Sequence, residues 1–243
     1  MRILGVEDIP PLIDLPLAVL EEMHAAGLRL LECEHALTEA GSNVVAEILR
    51  LTEEFYQWDH YPKGDVYCAD SHAQYYYHAH PPTERGNEWG DEHGHFHTFL
   101  RPQGFPSGIK TAAGDNEAPA HLVAVSMNYE GRASRLFTTN RWVTGEIWYD
   151  AGTVSRFLEH FHIGHENPSR LANDWISSLL VLFRPAIQTL LHARDEMIAA
   201  HTPTTDDLHV YDDRNLEVAS ILDIDVQGQI GAVEAALDTA GAG

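Results

Sequence analysis

Cysteine is almost absent from this chain, and basic residues are few. The 243 residues contain two cysteines, Cys33 and Cys68, and neither belongs to a C-x-x-C pair. That excludes a disulfide framework and a cysteine-based zinc knuckle, and both thiols are expected to be reduced and buried. Fifteen Lys+Arg stand against 37 Asp+Glu, a formal charge of −22. A chain so acidic repels phosphate backbones and anionic membrane surfaces, so neither nucleic acid nor a membrane is expected as a partner. Long apolar runs are also lacking. The longest, Ile176 to Phe183, is softened by Ser177 and Ser178 and falls far short of the roughly 20 residues of a membrane span. The first residues, MRILGVEDIPPLIDLP, carry Glu7 and Asp8 where a secretory signal would be apolar. A cytoplasmic protein is the expectation. No GxGxxG, P-loop, G-x-S-x-G or H-E-x-x-H element occurs, so nucleotide-binding, hydrolase-elbow and zincin chemistry have no support.

What is present in excess is histidine. There are sixteen, and five of them fall between His78 and His97. The usual share of histidine is roughly 2% of a chain, so both the total and the clustering stand out.

The pattern around this cluster predicts an α+β fold, a central antiparallel β-sheet flanked by N- and C-terminal helices, with residues 1–243 forming one domain. Leu17, Leu20, Met23 and His24 follow a helical period. Ser42 and Asn43 read as an N-cap before a stripe of Val44, Val45, Ile48, Leu51 and Phe55, a helix expected to run to Trp58. Strands are expected at Tyr75–His80, His93–Arg101, His121–Asn128, Leu136–Asn140 and Trp142–Tyr149. The segment Pro102–Pro119 reads as a long loop. Helix returns at 151–201, where Pro185 should kink or divide it. A strand within Leu216–Val226 and a last short helix follow.

The segment from Tyr75 to Phe99 contains one H-x-H unit and one H-x-H-x-H unit. On a strand, alternate side chains share a face, so His78 with His80, and His93 with His95 and His97, should each point one way. Phe96, Thr98 and Leu100 would face the core. Imidazoles at i and i+2 can reach one metal, and three of them leave a coordination position open. His78, His80, His95 and His97 are the first candidate ligands. His93 is next, because Gly94 could place a bulge there. Glu88 and Glu92 are candidates for acid–base work or for orienting an imidazole. Tyr77 is a further candidate in the catalytic site, with Tyr75 as a wall for substrate. Arg141 and Trp142 could hold a substrate carboxylate against a ring.

The block H-A-H-P followed by H-G-H-F-H-T-F-L-R, with G-D-V-Y upstream and T-T-N-R-W-V-T-G-E downstream, is similar to an uncharacterised bacterial domain-of-unknown-function family, over roughly residues 42–225. The resemblance implies no activity. The residues themselves favour a metalloenzyme acting on a small molecule, with a mononuclear His-ligated site. Iron is preferred over zinc, and copper is compatible. The alternatives are a zinc-dependent hydrolase or lyase, a non-catalytic metal- or haem-binding protein, and an interaction module whose histidines sense pH. Spacing and composition leave the oligomeric state unspecified.

Overall fold

A computed structural model describes residues 1–81, 89–109, 118–205 and 207–241. Seven strands form one sheet in the order β1-β7-β6-β5-β4-β3-β2. They are β1 (Arg2–Leu4), β2 (Tyr61–Tyr67), β3 (Ala73–His78), β4 (Glu92–Leu100), β5 (Ala120–Asn128), β6 (Ala133–Thr139) and β7 (Val218–Asp223). Strands β2 to β7 are joined antiparallel, and β1 adds one parallel pair at the edge, so the sheet is mixed. The helices are α1 (Leu17–Glu39), α2 (Val44–Leu49), α3 (Arg141–Thr144), α4 (Ala151–Leu158), α5 (Arg170–Leu182), α6 (Arg184–Ala200) and α7 (Val226–Gly241). The α+β class and the flanking helices are those read from the sequence.

Helices α2, α4, α5 and α6 cover one face of the sheet, α1 packs on α5, and α7 packs on α1. Tyr75, Tyr77, Phe96, Leu100, Val123, Val125 and Leu136 from that face join Trp175 and Leu179 of α5 and Met23 and Leu30 of α1 in the main core. The other face carries the histidines and a smaller apolar cluster of Trp89, Ala124, Phe137, Val218 and Ile221. Helices α5 and α6 break at Phe183, just before Pro185, and are bent by 70°. Among the described residues no single helix is long and apolar enough to cross a membrane.

Two sequence expectations fail locally. The helix expected to reach Trp58 stops at Leu49. Beyond it the backbone finds partners at the sheet edge instead: Tyr56 N–H donates to the Tyr61 hydroxyl at 2.6 Å, and Trp58 N–H to the Ala79 carbonyl at 3.0 Å. The strand expected over Trp142–Tyr149 is also absent. Asn140 caps α3 through its side chain, Gly145 ends that helix in the left-handed region at φ 65°, and Ile147 N–H then donates to Pro119 O at 3.0 Å.

Candidate metal centre

Strands β3 and β4 place the histidines by register. Tyr76 pairs with His97 and His78 with His95, so all four side chains share one face. On the neighbouring β5, His95 lies opposite Ser126 and His97 opposite Ala124. The small Ala124 leaves room above it for imidazole and for Phe137 from β6, whose ring is 5.1 Å from that of His95 and 6.1 Å from that of His97.

His78, His95 and His97 each offer one nitrogen atom, and these atoms all lie within 4.8 Å of one another. All three are buried, His95 and His97 at 1% exposure. The triad can hold a metal ion. His78 Nε2 and His95 Nε2 are 2.7 Å apart. The outer nitrogens of two of the rings are engaged away from that point. His95 Nδ1 lies 3.0 Å from Glu92 Oε1, and His97 Nδ1 lies 3.0 Å from His121 Nε2. The second Glu92 oxygen accepts from the Ser126 hydroxyl. A carboxylate behind a ligating histidine is the usual way of fixing its tautomer and orientation.

Two β-bulges decide which residues reach this face. In β4 the register slips between Glu92 and Gly94. The slip turns Glu92 onto the histidine face and sends His93 to the opposite one, where its ring meets Tyr77, Phe55 and Tyr129. Gly94 is required there, since a Cβ at that position would overlap the Tyr77 hydroxyl and the His78 carbonyl. In β5 the register slips between the partners of Thr98 and Phe99, which brings His121 onto the histidine face and Leu122 into the main core. Simple alternation would have chosen the reverse in both places.

His80 lies beside the triad without joining it. Its ring is 5.0 Å from that of His78 and 5.2 Å from that of His95, and Trp58 packs against it at 4.0 Å. His93, expected on the shared face, is carried away from it by the bulge. Burial pushes the His93 pKa down. Tyr75 and Tyr77 also lie on the helix-covered face. Tyr75 donates to Asn173 Oδ1 at 2.6 Å, and Tyr77 shares a hydrogen bond with His93 Nδ1. The structure therefore brings neither tyrosine to the triad, and Tyr76, between them, is the one that flanks it, 5.2 Å from His97. Arg141 pairs with Asp212, and Trp142 Nε1 donates to Leu216 O at 2.9 Å, so both tie α3 to the segment after α6. Glu88 lies outside the described residues.

Three neighbours escaped the sequence reading. His121 is fully buried, and burial with the nearby Arg194 charge pushes its pKa down to about 3. It is therefore a neutral partner for His97. Glu146 is buried at 4% exposure and accepts from the His121 backbone N–H at 2.9 Å, and burial pushes its pKa up to about 7. Trp58 adopts a left-handed backbone, φ 73°, which is unusual for a bulky side chain. The only sequence signal for His121 was its place at the head of a strong apolar strand; Glu146 and Trp58 gave none.

Residues 24–224 match the family described as a domain of unknown function, DUF6969. The chain belongs to this family. The DUF6969 region includes every histidine of the site, both bulges and strands β2 to β7. No curated protein and no solved structure matches the chain.

Proposed function

We propose that the chain is a metalloenzyme whose mononuclear centre is held by His78, His95 and His97, and that the metal is iron used for oxidative chemistry on a small organic molecule. The observation that carries this reading is the convergence of three buried imidazole nitrogens within 4.8 Å, with Glu92 behind His95. Three neutral nitrogen donors without a thiolate suit iron, copper and zinc alike, and they leave coordination positions for substrate or dioxygen. Bound there, iron would supply redox chemistry. Glu92 holds His95 with Nδ1 outward and Nε2 toward the other rings. Neutral His121 can accept the Nδ1 proton of His97, which leaves His97 Nε2 as its inward donor. Tyr76, Phe99 and Phe137 surround the imidazoles with aromatic carbon and exclude water from them.

The choice of oxidative over hydrolytic chemistry rests on Glu92. Zinc hydrolysis or lyase chemistry uses a group that takes a proton from metal-bound water. Glu92 instead spends its two oxygens on His95 and Ser126. The test is elemental analysis of protein purified without a histidine tag, followed by anaerobic loading with ferrous iron and nitric oxide. A spin-3/2 iron–nitrosyl signal at one per chain supports the reading. Stoichiometric zinc that ferrous iron cannot replace sinks the iron assignment and leaves the hydrolytic alternative.

A further inference from the structure

Three tyrosines follow one another along β3, and the outer two have bonded hydroxyls. Tyr75 donates to Asn173 Oδ1, and Tyr77 shares a hydrogen bond with His93 Nδ1. Tyr76, between them, lies on the histidine face and is 6% exposed. Among the described residues no group hydrogen-bonds its hydroxyl. Nor is that oxygen sealed in, as the unpartnered hydroxyl of Thr139 is. A largely buried polar group without a partner is uncommon in folded proteins, and a binding or catalytic role is one of its recognised explanations.

Aromatic packing fixes the Tyr76 ring. His60 lies flat on it, with centroids 3.5 Å apart and planes 9° apart, and Phe99 stacks at 5.5 Å. His60 Nδ1 is itself 3.2 Å from Asp65 Oδ1. The Tyr76 ring stands 5.2 Å from that of His97 and 5.6 Å from that of His78. Tyr76 and His97 pair across β3 and β4, so their side chains rise from the sheet side by side. A phenol oxygen stands farther from its Cβ than either imidazole nitrogen does from its own. The hydroxyl therefore reaches past the level of the nitrogens, toward the side of the centre that faces away from the sheet.

We propose that the Tyr76 hydroxyl is a substrate-binding group, which donates a hydrogen bond to an anionic atom of the molecule that occupies the open coordination position. This rests on the metal-centre reading. Three neutral imidazoles contribute no charge to the ion they hold, so an anion is the natural complement of that position. A fixed hydroxyl beside it then selects ligands that place a hydrogen-bond acceptor there.

The experiment titrates azide into the full chain loaded with cobalt(II), and cobalt absorption reads both the metal geometry and anion binding. The wild type is expected to bind azide saturably. Tyr76→Phe keeps the ring against His60 and Phe99, so cobalt content and the azide-free spectrum should not change, while azide binding weakens about tenfold or more. Tyr75→Phe, on the opposite face, should bind azide as the wild type does. Equal azide affinity in wild type and Tyr76→Phe would overturn the proposal and leave the metal centre standing. So would an azide-free spectrum altered by Tyr76→Phe, which would make the hydroxyl a support of the histidines, or cobalt-loaded wild type that binds no azide. Wild type that retains no cobalt would remove the metal reading and this proposal with it.

Discussion

Glu92 lies with Oε1 3.0 Å from His95 Nδ1, and both side chains are almost wholly buried, at 3% and 1% exposure. The pair exists only because the β4 bulge turns Glu92 toward the histidines. A buried carboxylate on the outer nitrogen of a ligand raises that ligand's basicity and holds its ring. Glu92→Gln should therefore weaken metal binding by roughly 10–100-fold. Competition with a chromogenic chelator measures this. An unchanged affinity would mean that His95 needs no support from Glu92. Ser126→Ala, which removes only the hydrogen bond to the other Glu92 oxygen, should weaken binding less than Glu92→Gln.

The five clustered histidines should divide three to two. His78→Ala should lose the metal, because it removes one of the three converging nitrogens. His80→Ala and His93→Ala should keep one metal per chain, since His80 is beside the triad and His93 is on the opposite face. Metal content of the three variants checks the division. Loss of metal in His93→Ala with the fold intact would contradict the bulge as described.

Tyr75 should prove structural. Its hydroxyl donates to Asn173 Oδ1 between β3 and α5, and both residues are fully buried. Tyr75→Phe leaves that oxygen without its donor, at a cost of about 1–3 kcal/mol. Chemical denaturation reads the loss. Metal content should not change, and a change in it would return Tyr75 to the site.

Glu146 should make the metal-free protein lose stability as pH rises. Its folded pKa, about 7, stands above its ordinary value of 4.5. The folded protein therefore holds a proton that the unfolded chain releases between these values. The stabilising contribution is fully present below pH 4.5 and is lost as pH passes 7. Glu146→Gln removes this dependence. Relative to the variant, wild type should lose up to about 3 kcal/mol between pH 4.5 and pH 8. Urea titrations of both proteins at the two pH values test it. A stability difference that does not vary with pH would place Glu146 in a solvated or paired state.

The sequence carried the fold class and the heart of the site because both depend on period. The 3.6-residue stripe of α1 places the first helix, and the two-residue alternation of β3 and β4 gathers His78, His80, His95 and His97, with His93, as candidate ligands, of which His78, His95 and His97 converge. Alternation fails wherever one extra residue enters a strand. The bulges at His93 and Leu122 exchanged His93 for Glu92 and Leu122 for His121, and nothing but Gly94 hinted at either. For the tyrosines no bulge intervenes, and β3 keeps its register from Ala73 to His78. Strict alternation already places Tyr76, and not Tyr75 or Tyr77, on the face of His78. The loss of helix after Leu49 and of a strand after Asn140 came from tertiary partners, the Tyr61 hydroxyl and Ala79 carbonyl in one case and an Asn cap with a left-handed glycine in the other.

The most direct test of the metal centre is the metal content of tag-free protein and of its His95→Ala/His97→Ala double variant, after loading with ferrous iron or zinc and gel filtration. The account predicts one metal ion per chain in the wild type and almost none in a folded double variant. Equal metal content in the two proteins, or a wild type that retains no metal after loading, would contradict it.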